Sequence, residues 1–185
     1  MIELALPESW RGRALVIRDV DDPESWLRDD ELAIVRGFKR ERRRREWMLA
    51  RVAAKELARR RGLTADPRAF VVARPLVTIS HSGPYAAAAI EAGVDVEVVR
   101  HVDEKVAKHF LRDDEAEAMR RCSTAHRLLH FWCAKEALWK ERGGAIAFLR
   151  DVPLRFVRER ERGVVFDGVE TFAAADFVAA LTSTS

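Results

Sequence analysis

The chain has 185 residues, 48% of them hydrophobic, with 33 basic against 30 acidic side chains and a formal net charge of +3. That size predicts one domain or two small halves with a real core, and no apolar run approaches the ~20 residues of a membrane span. The charge is uneven: residues 36–61 are heavily basic, which points to an anionic partner there.

The start, MIELALPESW, is acidic, and its apolar part is too short for a secretory signal. Apolar runs lie around Leu4 and over Ala14–Ile17, the second a candidate strand. Asp22-Pro23 predicts a helix start, with Asp22 as N-cap and a short helix from Pro23 to about Val35. A long helix is predicted from about Lys39 to Arg61, with Trp47, Leu49, Val52, Ala53 and Leu57 as its apolar stripe and Gly62 as its C-terminal cap. The run Arg42–Arg45 reads either as a solvated basic face or as a phosphate cradle, since guanidinium groups bind phosphate through two nitrogens. Arg51 lies beyond the run among apolar neighbours, a better candidate for a specific contact.

After a loop at Asp66-Pro67, Phe70–Ala73 is a candidate short strand and Arg74-Pro75 a turn. Three strands are then predicted, Leu76–Ser80, Tyr85–Glu91 and Gly93–Val99, forming an antiparallel meander with turns at Ser82-Gly83-Pro84 and near Ala92-Gly93. Ser80, His81 and Ser82 fall at a strand end, where hydroxyls, an imidazole and turn amides either face solvent or receive phosphate.

The third strand, GVDVEVV, alternates Val94, Val96 and Val98 with Asp95 and Glu97, so the two carboxylates project side by side from one face. Neighbouring carboxylates repel unless neutralised, and Mg²⁺, which prefers a few carboxylate oxygens plus water and substrate phosphate, would do so. An ordinary strand with one solvated face has the same pattern.

Beyond Val99 the chain turns helical. Asp113 is a candidate N-cap ahead of Glu115 and Glu117. A strong helix follows from about Ala125 to Arg142, ended by Gly143-Gly144. Within it Glu136 and Lys140 are four apart on one face. They read either as a surface pair worth ~0.3–0.5 kcal/mol or as a third carboxylate and an ammonium aimed at a metal–phosphate complex. Cys122 and Cys133 lack metal-ligand spacing and read as buried or free thiols of a reducing, cytoplasmic setting. Strand patterns in VPLRFVR, GVVFDG and DFVAAL predict a second small sheet, and the final TSTS is expected to fray. WMLARVAAKELARRRG and FWCAKEALWKERGG are faint echoes of each other, suggesting two similar halves that meet near residue 92.

TISHSG, GVDVE and FWCAKEALWK occur in that order and resemble the three signature motifs of the 4′-phosphopantetheinyl transferases, of the longer type that acts as a monomer of two similar halves. Gly93-Val94-Asp95-Val96-Glu97 stands for the family's GIDIE-like motif. Trp132, Lys135, Glu136 and Lys140 fit W-x-x-KE-x-x-x-K, and Phe110 and Glu115 fit F-x-x-x-x-E. The resemblance covers about residues 38–144. It implies an α+β fold of two similar halves, each a small antiparallel sheet with a long helix, residues 1–92 and 93–185, and an active site between them.

It also implies transfer of the phosphopantetheine arm of coenzyme A to a serine of an acyl or peptidyl carrier protein. Asp95, Glu97 and Glu136 would hold Mg²⁺, with Glu136 also the favoured base. Lys140 would bind the pyrophosphate, and Lys135 would assist with phosphates or proton transfer. Ser80 and His81 would contact coenzyme A phosphates, and Arg51, with Arg44 or Arg45, the 3′-phosphate. Arg74 stands near the family's G-K/R-P element, but Ala73 replaces the glycine. A nucleic-acid-binding module using the helix 39–61 is the alternative, though it leaves DVE and KE unexplained. A Mg²⁺ nuclease would want a lysine where Val99 stands, and an interaction protein with a dead site would not retain all three carboxylates.

Overall fold

A computed structural model describes residues 1–183. The fold is α+β, and the chain forms two compact units, Met1–Glu91 and Ala92–Ser185. Among the described residues no helix is long and apolar enough to cross a membrane.

The first unit has strands β1 (Ile2–Glu3), β2 (Ala14–Arg18), β3 (Val77–Ser82) and β4 (Tyr85–Ile90) in an antiparallel sheet of order β1-β2-β4-β3. Helices α1 (Asp29–Arg36) and α2 (Glu41–Arg60) lie between β2 and β3 in sequence. Leu49, Val52, Ala53 and Leu57 of α2 form a core with Leu15, Ile17, Ala86 and Ala88 of the sheet. The alanines of β4 bring the helix close, since they add little bulk above the backbone. Gly62 ends α2 at φ +68°, and Leu63 N–H donates back to the Ala58 carbonyl at 2.9 Å, closing a Schellman cap.

Three local expectations need correction. The helix from Pro23 to Val35 is broken: a 3₁₀ turn spans Glu24–Trp26, Leu27 is extended and buried, and α1 restarts at Asp29. The restart is fixed by Glu31, whose carboxylate accepts from Arg28 N–H at 3.0 Å. Phe70–Ala73 is not a strand, because the carbonyls of Arg68 and Phe70 are taken by the Lys55 ammonium at 2.8 and 3.0 Å. His81 and Ser82 belong to β3 itself, and the turn is Gly83-Pro84 alone.

The second unit has strands β5 (Val94–Val98), β6 (Phe156–Arg160), β7 (Gly163–Phe166), β8 (Val169–Ala173) and β9 (Phe177–Thr182), in antiparallel order β5-β9-β8-β7-β6. Helices α3 (Asp113–Arg121) and α4 (Arg127–Glu141) connect β5 to β6. The predicted meander therefore stops at β4. Glu91 turns the chain in the left-handed region (φ +54°), and β5 pairs with β9 instead. Gly93 N–H donates to Thr182 Oγ1 at 2.8 Å, and Thr182 N–H to the Gly93 carbonyl at 3.0 Å. The tail is thus part of the DVE sheet, and Thr182 is buried in it rather than frayed; Thr184 and Ser185 lie outside the described residues. Helix α3 starts from Arg112, whose N–H donates to Glu115 at 2.8 Å, so Asp113 is its first residue and not its cap.

The two units repeat one plan: a strand, two helices, then returning strands of which the last pairs with the strand before the helices. The sequence carries the repeat in two places. WLRDDE at Trp26–Glu31 matches FLRDDE at Phe110–Glu115, and AKE at Ala54–Glu56 matches AKE at Ala134–Glu136. Each lysine pairs with the glutamate of its own unit, Lys55 with Glu31 at 2.9 Å and Lys135 with Glu115 at 2.6 Å, all four buried. Burial pulls both lysines below their ordinary pKa, and the glutamate partner opposes that shift.

Candidate active site

β5 and α4 of the second unit build the site. Asp95 pairs with Ala180 and Glu97 with Val178 across the sheet, and those partners belong to the core that α4 covers. Paired residues of an antiparallel ladder share a face. Asp95 and Glu97 therefore face the helix rather than open solvent. The repeat sharpens the point. Ile90 N–H meets the Arg13 carbonyl as Thr182 N–H meets that of Gly93, which aligns Leu15 with Asp95 and Ile17 with Glu97. Core leucine and isoleucine of one unit stand where the other has two carboxylates.

Gly93 sets how close β5 lies to α4. A Cβ there would fall 1.9 Å from the Ala137 carbonyl oxygen. One helical turn of α4 then presents Glu136 and Lys140 to the strand. Lys140 Nζ donates to Asp95 Oδ1 at 2.6 Å, with side chains only 11% and 4% exposed. Glu136 is pushed above the usual carboxylate pKa by burial first and then by Asp95 and Glu97, while Lys140 pulls it back. All three carboxylates and the ammonium thus act on one region. Behind them the Cys133 thiol is fully buried and raised well above its ordinary pKa, by burial and by Asp95 and Glu97.

Lys135 requires a correction. It is 0% exposed, and its ammonium is spent on Glu115 and on the carbonyls of Arg150 (3.2 Å) and Val152 (2.8 Å). It can neither meet phosphate nor relay a proton without dismantling that cage. Glu115 in turn accepts from the amides of Arg112 and Leu154. Phe110 packs edge-on to Trp132 at 5.0 Å between centroids. Four residues that fit the motif, Phe110, Glu115, Trp132 and Lys135, are therefore framework, and Glu136 and Lys140 face the site. Glu115 was visible in sequence as a first-turn acid and a motif position; its repetition in LRDDE was the signal for its pairing with a buried lysine.

The first-unit candidates are held mainly by acids. Arg44 pairs with Glu24 and with Glu41 (3.7 Å), and Arg45 with Asp19 at 3.4 Å. Arg51 lies with its guanidinium 3.2 Å from the Trp47 ring centroid and 3.8 Å from Glu31, and burial draws its pKa down to about 10. His81 Nδ1 is 3.8 Å from Glu46, Ser80 is buried, and Arg74 is exposed.

Among the described residues no three histidine, cysteine, aspartate or glutamate side chains are gathered to hold a metal ion. The donor chemistry of Asp95, Glu97 and Glu136 nevertheless fits a hard dication: three carboxylates whose mutual repulsion is felt in Glu136 and only partly relieved by one ammonium.

Residues 91–177 match a family model described as the 4′-phosphopantetheinyl transferase superfamily. The span runs from the turn before β5 to the start of β9, and it contains every acidic and basic group of the site and of the Lys135 cage. No curated protein gives a significant match to the chain. The match spans nearly all of the second unit and none of the first beyond Glu91, so it is the second unit that is similar to the 4′-phosphopantetheinyl transferase superfamily.

Proposed function

We propose that the protein transfers the 4′-phosphopantetheine group of coenzyme A to a serine of an apo acyl or peptidyl carrier protein, with Mg²⁺, releasing adenosine 3′,5′-bisphosphate. The observation that carries this reading is the junction of β5 and α4, where Asp95, Glu97, Glu136 and Lys140 act on one another inside the matched span. Phosphoryl transfer asks a protein mainly for positioning and charge stabilisation, and this set supplies both.

Asp95, Glu97 and Glu136 would hold the metal, which would act there as a Lewis acid on the diphosphate. Glu136, with its proton affinity raised by burial and by two carboxylates, suits the base that takes the serine proton, directly or through water. The serine oxygen bonds to the phosphorus that carries pantetheine, the bridge to the other phosphorus breaks, and Lys140 neutralises the charge left on the departing phosphate. Arg51 is assigned to the 3′-phosphate, with Arg44 or Arg45 beside it. Ser80, His81 and Arg74 are assigned to the remaining phosphates. Lys135 has no part in the chemistry.

The test is intact mass spectrometry of apo carrier proteins incubated with the enzyme, coenzyme A and Mg²⁺. The expected result is a gain of one phosphopantetheine group that EDTA prevents and that Asp95→Asn abolishes. No gain across fatty-acid, polyketide and peptidyl carriers, with no calorimetric binding of coenzyme A, would overturn the reading.

A further inference from the structure

We infer that Lys140 is the resident counter-ion of Asp95 and must leave it for a divalent cation to bind, so that cation and diphosphate enter the site together. This rests on the transferase reading and adds to it an order of occupancy. An ammonium 2.6 Å from Asp95 Oδ1 uses an oxygen that a metal would take. Both side chains are nearly buried, where screening by water is weak and two cations on one carboxylate repel strongly. A dication arriving alone must therefore strip Lys140 of its partner inside the protein. A diphosphate ester arriving with the metal gives the ammonium a new anion.

The repeat shows why lysine suits this role. Four residues after Glu56, where the second unit has Lys140 four after Glu136, stands Arg60. Its fork is fixed on Glu56 and Glu3, each at 2.7 Å. That arginine is a lock. A lysine is a single point charge on a flexible four-carbon stem and can change partners by rotating. Lys140 lies one turn from Glu136 on the same face of α4, so its ammonium stays near the site after leaving Asp95.

The experiment titrates the protein with Mn²⁺ and follows the free ion by electron paramagnetic resonance, with and without coenzyme A. Wild type is expected to bind Mn²⁺ weakly alone and about tenfold or more tightly with coenzyme A present. Lys140→Met is expected to bind Mn²⁺ alone about tenfold or more tightly than wild type and to lose most of the enhancement by coenzyme A. Equal or weaker Mn²⁺ binding by Lys140→Met overturns the inference while leaving the metal site standing. Absence of Mn²⁺ binding in wild type with coenzyme A overturns the metal site and the inference with it. Should Lys140→Met fail to fold, wild type provides a second readout. Mg²⁺ should raise modification of Lys140 by an amine-reactive reagent, read by peptide mass spectrometry in the absence of coenzyme A. Unchanged or reduced labelling at Mg²⁺ concentrations that saturate the site overturns the inference.

Discussion

Lys135 and Glu136 are adjacent in sequence, but successive helix positions diverge by about 100°, and one points into the core while the other faces the site. Lys135→Met leaves Glu115 buried without its cation, a loss of about 3–5 kcal/mol. Lys135→Met with Glu115→Leu should recover part of that loss, and the folded double variant should turn over within a few-fold of wild type. Glu136→Gln should do the reverse, keeping the urea midpoint and losing about 10² or more in turnover. Collapse of turnover in a stable double variant would return Lys135 to the chemistry.

His130 allows a second prediction at this scale. It is fully buried, its Nδ1 lies 2.7 Å from Thr171 Oγ1, and burial lowers its pKa to about 4. The unfolded chain binds this proton near pH 6.5 and the folded chain does not, so stability falls as pH drops from about 6.5 through about 4, by up to about 3 kcal/mol. Urea melts at pH 7 and pH 4.5 should show that slope, and His130→Asn should flatten it.

The contact between β5 and α4 depends on Gly93. An added Cβ meets the Ala137 carbonyl at 1.9 Å, and backbone cannot rotate out of the way. Gly93→Ala should cost about 2–3 kcal/mol, the scale of core overpacking, and should move Asp95 away from Lys140, so that thermal stability and turnover fall together. Gly143, by contrast, has a positive φ, +69°, and open space around it. Gly143→Ala should cost only about 1 kcal/mol and leave turnover unchanged. This contrast also marks what the sequence could tell.

Alternation put Asp95 and Glu97 on one face, and the i,i+4 spacing put Glu136 and Lys140 on another, because both are local rules. That β5 pairs with β9 was not local: Thr182 lies 89 residues from Gly93, and no turn signal reports such a partner. The motif match gave Lys135 a share in the chemistry, and no local pattern reports the carbonyls of Arg150 and Val152 that enclose its ammonium. Two features were legible and missed. Asp167-Gly168 is a hairpin signal leading into β8, and LRDDE occurs twice.

At the scale of the molecule, the two units share a plan and differ in the side chains they carry on it. Both units keep the buried lysine–glutamate pair, but only the second has carboxylates on the strand that precedes its helices, where the first has Leu15 and Ile17. The first unit's distinctive stock is arginine, and much of it is already matched: Arg42 to Glu46, Arg44 to Glu24, Arg45 to Asp19, and Arg59 and Arg60 to Glu56. Such a face offers little to a nucleic-acid backbone, whose binding depends on releasing counter-ions to unmatched cations.

Arg51 differs from these. Its guanidinium is held against the Trp47 ring, 3.8 Å from Glu31 and 20% exposed, and with a pKa of about 10 it is still charged at neutral pH. A planar cation fixed by stacking has lost its freedom before a ligand arrives, so less entropy opposes a bidentate phosphate contact. Arg51→Ala should therefore raise KM for coenzyme A about tenfold or more, the scale of one lost charge-assisted hydrogen bond. KM for 3′-dephospho-coenzyme A should stay within about twofold, because that substrate lacks the phosphate in question, and kcat should change little for either. Equal rises in KM for the two substrates would take Arg51 off the 3′-phosphate. It would then be the partner of Glu31 and Trp47 alone, and an accompanying drop in thermal stability would register that role.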